Sequence, residues 1–167
     1  MPFEIHPEIS PEGKKLSDAF PGSSAKEMMG NLNAQGNQYG VYFSGKDAMF
    51  NSEKALLATE YARDNGKLSE FHGEVCKAYF TQSINIADSA VLKEIAETVG
   101  LDGDAMLAKV EDKTYRHRLA ESKVEATKYG IQSVPTFIID NKYMIVGAQP
   151  IDTFRELLSK SDDAAQV

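Results

Sequence analysis

Two short apolar runs near the C-terminus constrain the fold more than any other part of the chain. Thr136-Phe137-Ile138-Ile139 and Tyr143-Met144-Ile145-Val146 are rich in β-branched and aromatic residues, and Asp140-Asn141-Lys142 separates them. Runs of that length around turn chemistry predict an antiparallel hairpin. A lone hairpin is marginal in water, so it needs a partner layer and, as a rule, a third strand. The alternating segment Phe3-Glu4-Ile5-His6, closed by Pro7, is the one other stretch that reads as a strand. The sheet is therefore expected to be closed by pieces from opposite ends of the sequence.

Between those pieces the hydrophobic period is helical. Pro7 to Gly22 reads as irregular, with Pro7, Pro11, Pro21, Gly13 and Gly22 interrupting it. Ser23 or Ser24 is placed to cap a helix from about Ala25 to Gln38, and Val41-Tyr42-Phe43 follows as an apolar patch in a loop. Asn51 or Ser52 caps a second helix that runs to about Asp64. Phe71, Val75 and Tyr79 then mark one helix face, flanked by Cys76 and Phe80. Asp88 opens a helix with Val91, Leu92, Ile95 and Val99 inward, and Asp102 opens another through Met106, Leu107 and Val110. A charged helix spans roughly Lys113 to Tyr129. After the hairpin, Pro150 opens a last helix carrying Ile151, Phe154, Leu157 and Leu158, and residues 161–167 read as a polar, frayed tail. The order is strand, five or six helices, hairpin, helix, which predicts an α/β fold with a helical insertion.

Composition excludes several function classes. The formal net charge of −7 argues against nucleic acid, whose binders concentrate a basic face. No run approaches the roughly 20 apolar residues of a membrane span, and the first residues show no signal peptide, so no membrane partner is expected. No metal is expected either, because His6, His72 and His117 lie far apart and pairing at metal spacing is missing. No cofactor is expected: Gly36-Asn37-Gln38-Tyr39-Gly40 neither follows a strand nor opens a helix, so it is no phosphate cradle. Cys76 is the single cysteine, which rules out an internal disulfide and a dithiol cycle within these 167 residues. It reads as a packed, inert thiol. Arg116-His117-Arg118 reads as solvated surface.

The segment Gly130-Ile131-Gln132-Ser133-Val134-Pro135-Thr136-Phe137 sharpens this picture. A proline at a strand start is compatible with either peptide isomer, since cis costs only about 0.5–1 kcal/mol there. The segment resembles the cis-proline loop of thioredoxin-fold proteins. Val146-Gly147-Ala148-Gln149-Pro150-Ile151 resembles the FrnE-like branch of the DsbA-family oxidoreductases, whereas the isomerase branch carries Gly-x-Asp-Arg at that turn. Gly40-Val41-Tyr42-Phe43, Asn51-Ser52, Lys77-Ala78-Tyr79-Phe80 and Ile86-Ala87-Asp88 extend the likeness, which runs from Phe3 to about Leu158.

The resemblance implies a thioredoxin-like sheet with a helical insertion domain and the first strand missing. Residues 1–22 and 130–160 would form the thioredoxin-like part, 23–129 the insertion and 161–167 the tail. It implies a substrate-binding role for Val134, Pro135 and Thr136: Val134 would present backbone groups to a peptide or protein thiol/disulfide substrate, and Pro135 would fix their geometry. The family reaction is attack of a thiolate on a substrate disulfide, followed by release from the mixed disulfide by a second cysteine. No catalytic residue is assigned in this chain, because the Cys-x-x-Cys that precedes the matching region in the family is absent. Leu56-Leu57 also stand where relatives carry a polar His-Arg pair. Two alternatives stay open, a non-catalytic peptide- or partner-binding protein and a glutathione-dependent isomerase-like protein. With an interior strand lacking, strand 3–6 is expected to pair directly with the hairpin, or the chain to form a homodimer or strand-swapped oligomer. One cysteine and no visible export signal point to the cytoplasm.

Overall fold

Asp88 and Asp102 show how local chemistry starts the helices of this chain. Each adopts an extended conformation and its carboxylate accepts a backbone N–H of the following turn, from Ala90 at 2.8 Å and from Ala105 at 2.9 Å. Such a cap satisfies one of the amides that a helix start leaves unpaired. The computed structural model describes residues 2–21, 24–44 and 48–164. The elements are β1 (Lys14–Lys15), α1 (Leu16–Ala19), α2 (Ala25–Gly36), β2 (Ala48–Met49), α3 (Glu53–Asp64) and α4 (Leu68–Cys76). They continue as α5 (Ser89–Thr98), α6 (Gly103–Glu111), α7 (Arg116–Lys128), β3 (Thr136–Ile139), β4 (Tyr143–Val146) and α8 (Ile151–Ala164). The chain divides into two compact units, residues 1–122 and 123–167.

The first unit is built on α3, α4, α5 and α6. Their inward faces bring together Leu57, Phe71, Leu92 and Met106, which are fully enclosed, with Ala58, Ala62, Ala96 and Val110 around them. Each large side chain of this kind stabilises the unit by about 1.5–3 kcal/mol relative to exposure. Leu57, half of the Leu56-Leu57 pair, is thus part of the core. Small alanines on α3 let the neighbouring helices approach. Asn51 rather than Ser52 satisfies the start of α3: its side-chain oxygen accepts from Glu53 N–H at 2.8 Å, and its amide donates to Ile9 C=O at 2.9 Å. Ser24 precedes α2 without a side-chain cap, and Ser23 lies outside the described residues.

Three expectations fail in this unit. Residues 3–6 form no strand. The alternation is only four residues long, and a turn follows at once, with Ile9 N–H donating to His6 C=O at 3.2 Å. The stretch read as irregular contains β1 and α1, and β1 pairs antiparallel with β2 through Lys14↔Met49 and Lys15↔Ala48. A two-residue ladder carries no hydrophobic period, so pattern reading misses it. Gly13, at φ +94°, lets the chain enter this ladder; a Cβ there would stand 2.6 Å from the Phe50 ring. Finally, α7 begins at Arg116, not Lys113. Lys113 takes φ 55°, and the Asp112 carboxylate accepts the Thr114 N–H at 2.9 Å, which holds a turn ahead of the helix.

In the second unit the predicted hairpin forms with the expected strands, in the register Thr136↔Val146, Phe137↔Ile145, Ile138↔Met144 and Ile139↔Tyr143. Asp140 and Asn141 both take left-handed φ values, 51° and 54°, which their short polar side chains tolerate. Lys142 N–H closes that turn on Ile139 C=O at 3.0 Å. Phe137, Ile139, Tyr143 and Ile145 share one face, and Phe137 meets Phe154 of α8 edge to face at 4.9 Å. Among the described residues this sheet has two strands, β3 and β4. The last helix continues through Ala164, so residues 161–164 are helical rather than frayed, and 165–167 lie outside the described residues. No helix among the described residues is long and apolar enough to cross a membrane.

Candidate functional site

The loop between α7 and β3 is set by how the helix stops. Gly130, at φ +66°, turns the chain out of α7. Its N–H donates to Thr127 C=O at 3.0 Å, and Ile131 N–H reaches Ala126 C=O at 2.9 Å, which satisfies the last carbonyls of the helix. Five residues further on, the Thr136 hydroxyl donates to Ser133 C=O at 2.7 Å and folds the loop back on itself. The Val134–Pro135 peptide bond is cis. Pro135 C=O accepts Gly147 N–H at 2.8 Å, so Pro135 sits opposite Gly147 at the end of the β3–β4 ladder.

That bond fixes which backbone groups are spoken for. Antiparallel strands alternate between residues that bond to their partner and residues that point away. Pro135, Phe137 and Ile139 turn their backbone groups to β4, which leaves Thr136 and Ile138 facing the other edge of β3. Val134 itself is 44% exposed, and its N–H and C=O make no hydrogen bond to the described residues. Of the three residues singled out from the sequence, Val134 and Thr136 thus turn backbone groups away from β4, while Pro135 between them spends its one backbone polar group on Gly147. The loop Gly130–Thr136 contains no acid, base or thiol. Its polar side chains are those of Gln132, Ser133 and Thr136, and the Thr136 hydroxyl is already bonded to Ser133 C=O.

Cys76 belongs to the first unit and ends α4. Its Sγ lies 3.8 Å from both ring nitrogens of His72, one helical turn earlier. Burial pushes the thiol above its ordinary pKa, so at neutral pH it is protonated and a poor nucleophile. The described residues hold no group of three or more His, Cys, Asp and Glu side chains arranged for a metal.

One reading of surface residues is corrected. Arg118 is not simply solvated: its guanidinium donates to Asp64 through two nitrogens, at 2.8 and 3.0 Å, and to the Glu60 carboxylate at 3.1 Å. It also lies over the Tyr115 ring, 4.9 Å from its centroid. Its partners stand more than fifty positions upstream, so no local pattern announces them. Arg116 faces Glu53 at 3.6 Å, and the His117 ring bonds to Thr114 C=O at 3.0 Å.

With this geometry in hand, the similarities to known proteins can be placed. The model of the DSBA-like thioredoxin domain matches residues 1–159. The chain belongs to the DSBA-like thioredoxin domain family. YwbO of Bacillus subtilis (strain 168), an uncharacterized protein, is 30% identical over 167 residues, covering 95% of this chain and 79% of the relative. The crystal structure of a probable DsbA oxidoreductase from Streptomyces coelicolor superposes with a TM-score of 0.86 at 23% identity, covering 95% of this chain and 72% of that one. At that identity the superposition speaks for the fold alone. The fold is thus the thioredoxin-like fold of DsbA proteins, rich in helix and with short sheets.

Proposed function

We propose that this DSBA-like domain binds an extended peptide or protein segment along Val134, Pro135 and Thr136, and that it performs no thiol–disulfide exchange with its own 167 residues. The observation that carries the reading is the backbone of Val134, which bonds to none of the described residues, beside an edge of β3 that no described strand pairs. An extended segment laid there gains main-chain hydrogen bonds, as in strand addition, while neighbouring side chains select what it carries. Exchange on a bound disulfide would need a thiolate to attack one sulfur and a second thiol to resolve the mixed disulfide. Cys76 is single and held protonated, so it supports neither step. The binding reading therefore goes further than an oxidoreductase reading of the same residues. A cytoplasmic setting, where a lone thiol stays reduced, belongs to the same proposal.

The test is an amide NMR titration with the insulin B chain, its cysteines blocked by carboxamidomethylation. The expected result is a saturable shift of the Val134 amide and of its neighbours through Ile138, lost in Val134→Pro, which removes the donor. Shifts scattered over the surface, or an unchanged titration in the variant, would overturn the reading. Insulin reduction by the chain is expected to stay at the uncatalysed rate. Sustained turnover would show that the redox part of the proposal is wrong.

A further inference from the structure

The first unit contains an apolar cavity of about 190 Å³, half open to solvent, whose walls come from four separated stretches of chain. Met28, Met29 and Leu32 of α2 form one wall, and Met49 of β2 forms another. Phe43 and Phe80 also line it, with ring centroids 5.7 Å apart and crossed at 75°. Residues 77–81 form a wide turn in which Gln82 N–H bonds back to Lys77 C=O at 3.0 Å. That π-type turn brings the consecutive rings of Tyr79 and Phe80 against each other at 4.8 Å. Turns of this kind are rare inside helices and recur at functional sites.

Several polar groups around this cavity hold its walls, and its lining is almost wholly apolar. Asn33 clamps the Phe43 backbone in both directions, accepting its N–H at 2.7 Å and donating to its C=O at 2.9 Å. Ser44 donates to Phe80 C=O from its backbone at 2.8 Å and from its hydroxyl at 3.0 Å. The Thr81 hydroxyl donates to Tyr42 C=O at 2.9 Å. The walls are thus propped by hydrogen bonds rather than by mutual filling. The apolar lining offers water few of the two to four polar partners that an ordered water needs, so an apolar guest can displace water from it at little cost. Three methionines in the lining can adjust to a guest, since their side chains are unbranched and polarizable.

We infer that this cavity is a binding site for a small, uncharged, apolar molecule the size of one aromatic ring. The cavity belongs to the first unit and the Val134 loop to the second, and its ligand is read without any peptide, so the two readings succeed or fail separately. The experiment follows methionine methyl signals of the full chain while toluene is added, with benzoate as the charged control. The methyls of Met28, Met29 and Met49 are expected to shift saturably, and those of Met106 and Met144 to stay in place. Benzoate is expected to bind at least about a hundredfold more weakly, because the cavity offers its charge no partner. Filling the cavity with Ala48→Leu is expected to weaken toluene by at least about tenfold through loss of volume. Should that variant fail to fold, Leu32→Phe fills the space from the opposite wall. The inference is overturned by an absence of saturable shifts up to the solubility of toluene, by all methionines moving together, or by filled variants that bind like the wild type.

Discussion

Replacing Arg118 by Met tests whether one ion-pair network anchors the start of α7. Glu60 is 2% exposed and lies between two arginines: Arg63 reaches one carboxylate oxygen at 3.1 Å and Arg118 the other at 3.1 Å. Removing one partner of a fully buried pair costs about 3–5 kcal/mol, because the remaining charge is left uncompensated. Two features lower that figure here. Arg63 stays in place, and the Arg118 side chain is 32% exposed, so water shares its solvation. The loss at Glu60 is then about 2 kcal/mol, to which the contacts with Asp64 and the Tyr115 ring add about 1 kcal/mol. The expected total of about 3 kcal/mol lowers the urea midpoint by about 1.5 M at a slope near 2 kcal/mol/M, with the slope unchanged. Helical ellipticity in a urea titration measures it. Adding Glu60→Gln to Arg118→Met removes the stranded charge and is expected to restore at least about 1 kcal/mol, a sign that simple additivity does not give. A single-variant loss below about 1 kcal/mol, or a double variant weaker than Arg118→Met, would refute this account.

Further outcomes follow from the same chemistry. The hydrogen bonds from Arg118 hold the Asp64 carboxyl below its ordinary pKa, so its contribution to stability is present above the unfolded value and fades as pH falls through the folded one. Asp64→Asn should therefore flatten the acid limb of a stability–pH profile below about pH 5; an unchanged limb would contradict it. Cys76 should react with iodoacetamide more slowly than free cysteine at pH 7 and accelerate as pH rises past the ordinary thiol range, a profile that mass spectrometry reads directly. The open edge of β3 should favour association of two chains at high concentration, and light scattering that reports a monomer at every concentration removes that expectation.

What the sequence made legible follows the range of the interactions concerned. The hairpin was readable because Thr136–Ile139 and Tyr143–Val146 carry their own β-forming residues and because Asp140-Asn141 tolerates the turn between them. Asp88 and Asp102 were readable as helix starts because a cap bonds within three residues of itself. Phe71 and Val75 were readable as core because their spacing follows the helical period. Arg118 was not readable, since its local neighbours look like solvated charge and its partners Glu60 and Asp64 meet it only in the folded unit. Residues 3–6 misled for the opposite reason: a brief alternation looks like a strand, but a strand exists only where a partner edge accepts it.

The same distinction separates the two sites. Val134, Pro135 and Thr136 were found through a motif, and the structure explains why chemistry alone would not have found them. In the proposed binding they would contribute peptide backbone, which every residue possesses; what sets Val134 and Thr136 apart is that the β3–β4 ladder, by taking Pro135 C=O for Gly147, turns their groups away from β4. The cavity in the first unit was not announced as a site, although Phe43, Tyr79 and Phe80 of its lining lie in the family-like segments 40–43 and 77–80. Its lining is ordinary apolar side chains from α2, β2 and the turn at residues 77–81, and its shape depends on Asn33 and Ser44 bonding across the fold. Those two polar residues make a sharper test of origin than the lining does. Asn33→Ala removes both hydrogen bonds to Phe43, at about 1 kcal/mol of stability each, and lets the strap at residues 41–44 settle inward. If the cavity exists because its walls are propped, this variant loses toluene binding while every apolar lining residue is retained; if the lining alone creates it, binding survives.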